Sequence, residues 1–76
     1  MNEDNARLAL QAFHRRRPFK PFLVELMTGD RVLVAHPEAL SWRGTVLYFI
    51  SPQDLVRLFD HASVCQVLDV PPASPS

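Results

Sequence analysis

Two prolines, Pro18 and Pro21, divide this chain into parts with different hydrophobic periods. Before them, Ala6, Ala9, Leu10 and Phe13 recur at i, i+3, i+4 and i+7, a single apolar stripe that predicts an α-helix over residues 3 to 16. After them the period is two. In "FLVELMT", Phe22, Val24 and Leu26 fall on one face, and Leu23, Glu25 and Met27 on the other. A residue preceding proline is pushed out of the helical region, so Pro18 ends the helix and Pro21 keeps the exit extended. Asn2 is placed to cap the helix start, with Glu3 and Asp4 in the first turn and Arg15 to Arg17 in the last. These charges oppose the helix dipole at both ends, each contributing about 0.3–1 kcal/mol when exposed.

The remainder reads as a chain of short strands. "TGDR" is a turn in which Gly29 is free to take a positive φ. "VLVAH" follows as a strand broken or bulged at Pro37, because proline cannot donate to a ladder, and "EALSWRG" continues it to Gly44. "TVLYFI" is β-branched and aromatic throughout. "SPQD" turns the chain into "LVRLFD", "SVCQVLDV" makes a final strand, and "PPASPS" reads as a disordered tail. One helix and about five strands make a β-meander, expected as a single domain over residues 1 to 70 with a tail over 71 to 76. Most strands are apolar on both faces, so the sheet must curl into a small barrel or be covered on both sides. The expected fold is mainly β, of the α+β type: an N-terminal helix and a five-stranded antiparallel SH3-like or Sm-like barrel. The alternative is an open, strongly bent sheet with the helix laid across one face.

Seventy-six residues supply only a thin core, which gives a chain this small a reason to self-associate. Eight basic residues balance eight acidic ones, so no global field draws the chain to nucleic acid or membrane. With Cys65 as the sole cysteine no intrachain disulfide forms, which fits a reducing compartment. "MNEDN" is unlike a signal peptide, and the longest apolar run, Val46 to Ile50, is far too short for a membrane span. A cytoplasmic protein without membrane contact is expected.

Two resemblances bear on this reading. "RPFKPFLVELMTGDRVLVAHPEAL" closely resembles a family of small uncharacterised bacterial proteins with a "PFxPF…(D/T)G(R/D)…HPE" pattern, a likeness running from about Arg17 to Val70. Secondly, the order helix, "FLVELMTGDRVLV", "LVRLFDHASVCQVL" is similar to the bacterial Sm-like protein Hfq, in which a "Y-K-H-A" segment belongs to the second Sm motif. Phe59-Asp60-His61-Ala62 is the corresponding segment: His61 and Ala62 match, Phe59 is a conservative change, and Asp60 replaces a basic residue. The resemblance implies a small barrel that self-associates by edge-strand pairing, with RNA at the matching histidine.

Candidate chemistry is sparse. Arg15, Arg16, Arg17 and Lys20 are half of all the positive charge, packed into six positions. They suit phosphate neutralisation, with Phe19 or Phe22 able to stack a base. Equally, they suit a solvated helix end whose phenylalanines anchor the join to the core. Trp42 and Arg43, before the Gly44 turn, are residue types enriched at protein interfaces, although a tryptophan there also serves to fold over the open end of a barrel. His36, Glu38 and His61 carry metal-ligating groups without a tight metal spacing. Cys65, between Val64 and Val67, is expected to be buried and inert, and the serines lack a nucleophile-elbow context. No phosphate-cradling glycine loop or paired carboxylates occur, so neither a cofactor nor an enzymatic activity is expected.

The sequence therefore points to a non-catalytic, self-associating Sm-like or SH3-like module. RNA is a candidate ligand through Arg15, Arg16, Arg17, Lys20 and His61. A protein-interaction or scaffold module acting through Trp42 and Arg43 competes with it. A metal-dependent enzyme on His36, Glu38 and His61 is the third reading.

Overall fold

The computed structural model describes residues 2–71, so the expected tail lies outside the described residues from position 72 onward. Helix α1 spans Glu3–His14, and the Asn2 side chain accepts the Asn5 N–H at 2.8 Å. It ends two residues short of the expected 16. Arg15 is the C-cap, its N–H directed to the Gln11 carbonyl, so Arg16 and Arg17 lie in the exit rather than in the last turn. The helix buries Ala6 and Leu10 and lies against β6 (Val64–Asp69) and the one-turn 3-10 helix His61–Ser63.

Six strands form two antiparallel sheets of three. The first has the order β2-β1-β6, with β1 (Phe22–Leu26) between β2 (Arg31–Val34) and β6; the second has the order β3-β4-β5, from Leu40–Arg43, Val46–Ile50 and Val56–Asp60. Six strands replace the expected five because the break at Pro37 is complete. A one-turn 3-10 helix, Pro37–Ala39, separates β2 from β3, since proline offers no N–H to continue the ladder. A second such turn, His61–Ser63, separates β5 from β6. The ladders thus stay in two sheets and do not close into one continuous barrel.

The two sheets share one core. Phe22, Val24, Leu26, Val32 and Val34 of the first sheet join Leu40, Leu47 and Phe49 of the second, together with Val64 and the helical Ala6 and Leu10. Burying each large side chain contributes about 1.5–3 kcal/mol. The alternation expected for β1 holds, with Phe22, Val24 and Leu26 buried.

Cys65 corrects an expectation, because it is exposed. Gln66 pairs with Glu25 while Val64 pairs with Leu26, so the register shifts there and Cys65 is the extra residue of a β-bulge. Val64 and Val67 turn inward on either side, and both Cys65 and Gln66 are left outside. No helix among the described residues is long and apolar enough to cross a membrane.

Candidate functional site

Where the end of α1 meets β3, His14, Arg15, Arg17, Leu40, Ser41 and Trp42 line a recess of about 400 Å³. A second recess, lined by Ser41, Trp42, Arg43 and Tyr48, opens from the same strand. Strand alternation places Trp42 opposite the buried Leu47, so its indole turns inward and packs on the core while remaining partly exposed. Arg43, the next residue, pairs with Val46 and points to the opposite face.

Two histidines hold the indole edge-on. The His14 ring lies 5.2 Å from it, centroid to centroid, and the His61 ring 6.4 Å. His14 Nε2 is 2.9 Å from the Pro37 carbonyl, and His61 Nδ1 is 2.8 Å from the Thr45 carbonyl. A carbonyl only accepts, so each of these nitrogens carries the proton. His61 is 1% exposed, and its Nε2 is buried without a hydrogen-bond partner. Its burial therefore keeps His61 from direct contact with a ligand, and its ring instead packs edge-on against the indole.

Charge is sorted by pairing. Arg7, Arg16, Arg31 and Arg57 form ion pairs with Asp4, Asp69, Glu25 and Asp30. Among the described residues, Arg15, Arg17, Lys20 and Arg43 form none. Arg15 and Arg17 line the same recess as Trp42, whereas Arg43 lines the other recess from the opposite face of β3. Arg16 is withdrawn from the cluster: its Nη1 donates to Asp69 at 2.6 Å, its Nη2 to the Lys20 carbonyl, and its guanidinium lies 4.6 Å from the Phe13 ring centroid. Lys20 faces a separate recess with Pro21, Asp69 and Val70. Phe22 is fully buried and offers no ring face to a base, whereas Phe19, partly exposed like Trp42, packs against it at 6.0 Å. Trp42 is the aromatic group that shares a recess with Arg15 and Arg17.

His36 and Glu38 lie 3.8 Å apart on the surface, but His61 does not join them. Among the described residues no three His, Cys, Asp or Glu side chains gather as a metal would require. Two carboxyls are held below their ordinary values by partners: Glu25 by the Gln66 amide and then Arg31, Asp30 by Arg57 and then the Thr28 hydroxyl. Both arrangements join strands or turns distant in sequence.

Sequence reasoning did not assign the exposed apolar residues Leu33, Ile50, Leu55, Val56 and Leu58 to any site. For Ile50, Leu55, Val56 and Leu58 the signal was the presence of apolar residues on both faces of "TVLYFI" and "LVRLFD". Leu33 and Ile50 line a groove of about 410 Å³ with Ala35, Ala39 and Pro52, beside His36 and Glu38. Comparison with protein-family models, curated proteins and solved structures finds no match to the chain.

Proposed function

We propose that the protein is a non-catalytic, self-associating module of the small SH3-like or Sm-like barrel type that binds single-stranded RNA along the β3 edge. The observation that carries this reading is that Arg15 and Arg17, both without ion pairs, line one recess with the partly exposed Trp42. Cations that neutralise phosphates beside an aromatic group that stacks a base are the two parts of a sequence-tolerant single-strand site. The sheet orders β2-β1-β6 and β3-β4-β5, with a one-turn 3-10 helix before the last strand, support the small-barrel reading. The ligand-contacting set becomes Arg15, Arg17 and Trp42, with His61 and His14 as positioning residues.

The test is fluorescence anisotropy with a labelled oligoribonucleotide across a salt series. Two phosphate contacts per site give a slope of log affinity against log salt near about −1.4, and each arginine removed reduces it by about 0.7. Arg15→Ala and Arg17→Ala should weaken binding, and Trp42→Leu should weaken it without changing the slope. Binding that ignores both salt and these substitutions overturns the reading.

A second reading, a protein-interaction or scaffold module without nucleic acid, is favoured by the apolar surface at Ile50, Val56 and Leu58. It predicts no RNA affinity at any salt concentration and a partner contact sensitive to changes at those three residues.

A further inference from the structure

The second sheet is apolar on the face turned away from the core. Across its three strands the outward rows are Arg43–Val46–Asp60, then Ser41–Tyr48–Leu58, then Ile50–Val56. An antiparallel sheet with one face on the core ordinarily puts polar residues outside. On β5 the order is reversed: Arg57 turns to the inner side, opposite Phe49, and reaches Asp30 at 2.9 Å, while Val56 and Leu58 face out. That ion pair and the inward Phe59 hold the register, so β5 cannot slip by one residue to hide its leucine.

The outward residues are well exposed, Ile50 at 45%, Val56 at 64% and Leu58 at 57%, with Leu55 and Leu33 at their margin. On adjacent strands Ile50, Val56 and Leu58 make one exposed apolar patch, the kind of surface that marks an interaction site. Val46 and Tyr48 extend it, with Arg43 and Asp60 at its two sides.

We infer that this outer face is the interface with a second copy of the chain. This rests on the self-association in the proposed function and adds the surface and its geometry. The two sheets pack face to face, related by a two-fold axis that runs along the strands between β4 and β5. Tyr48 then covers Leu58 of the second copy, and Ile50 covers its Val56, in the aligned sheet packing that antiparallel sheets adopt. The charges select this orientation. An axis across the strands would lay Asp60 on Val56 and carry Arg43 of the second copy to the other end of the strands, desolvating the carboxylate without a partner. The axis along the strands keeps both charges in one row, with Asp60 over Val46 and Arg43 of the second copy offset sideways from it by one strand spacing, about 4.8 Å, across the roughly 10 Å between the sheets, within reach of a guanidinium. The symmetry makes this pair twice.

The test is sedimentation of the full chain from micromolar to millimolar concentration, with methyl NMR on the same dilution series. The wild type should dimerise, and the Ile50, Val56 and Leu58 methyls should shift on dilution while those of Leu8, exposed on α1, stay fixed. Ile50→Glu should raise the dimer dissociation constant by more than about tenfold with an unchanged circular dichroism spectrum. Arg43→Glu should weaken the dimer, and adding Asp60→Arg should restore it. An associated wild type whose Ile50, Val56 and Leu58 methyls do not move would place self-association on another surface and overturn this inference alone. Failure of the charge exchange to restore the dimer overturns the two-fold orientation. A monomer at every concentration overturns both the inference and the self-association on which it rests.

Discussion

The imidazole of His61 stands edge-on to the indole of Trp42, with 79° between the ring planes. Because His61 is almost fully enclosed and its Nδ1–H is spent on Thr45, the contact is structural, and it couples the Gly44–Thr45 hairpin to the recess above it. His61→Ala should lower stability by about 2–4 kcal/mol, combining a cavity with a lost hydrogen bond. The same substitution should move Trp42 fluorescence to longer wavelength as water reaches the indole. Thermal melts and emission spectra read both effects, and an unchanged emission maximum would contradict the role given to His61.

The three consecutive arginines should separate into two behaviours. Arg16→Ala removes a contact with the Phe13 ring and an ion pair to Asp69, and should cost about 1 kcal/mol of stability. Arg15→Ala and Arg17→Ala remove no ion pair and should stay within about 0.5 kcal/mol of wild type in a urea titration. RNA binding should show the reverse order, with Arg16→Ala the mildest of the three.

The two glycines sit where side chains are strained rather than crowded. Gly29 has φ +92° and Gly44 φ +55°, and a Cβ added at either meets no heavy atom within 4 Å. Gly29→Ala should therefore cost about 1–2 kcal/mol through backbone strain alone. At Gly44, in the left-handed helical region, asparagine should be tolerated better than valine, because only the β-branched residue is strongly excluded there. Equal melting temperatures for Gly44→Asn and Gly44→Val would show that the strain argument fails at that turn.

Acid should weaken the join between β1, β2 and β6. The folded Glu25 carboxyl is held below its ordinary value of 4.5 by Gln66 and Arg31, so its contribution is complete above the unfolded value and is lost as pH falls through the lowered folded value. Asp30, held below 3.8 by Arg57 and Thr28, follows the same sign. Glu25→Gln should be less stable than wild type at neutral pH, and the gap should close as pH drops below the ordinary carboxylate range. A gap that is constant with pH would mean that the Glu25 charge contributes nothing.

The helix, the exit through Pro18 and Pro21 and the faces of β1 were all legible, because capping, proline geometry and alternation act within a few residues. The site was legible only in part. The basic cluster and Trp42 were each conspicuous as residue types, but their meeting depends on β3 lying beside the end of α1, which neither segment encodes alone. Cys65 was misread because a bulge inverts the period of two, and the bulge is a property of the pairing between β6 and β1 rather than of either strand.

The sequence by itself determined where the chain turns helical, where it turns extended and where it must bend. Those are short-range steric decisions, made by Asn2, Pro18, Gly29 and Pro37 with their immediate neighbours. Only the tertiary structure decided which arginine is consumed and which histidine is hidden. Arg16 finds Asp69 53 residues away, Arg57 finds Asp30 at a separation of 27, and His61 finds Thr45 at 16. Such partners are chosen by strand register and by closure of the two sheets over one core. A residue's type sets what it can bind, but the paired chain around it decides whether it is still free to do so.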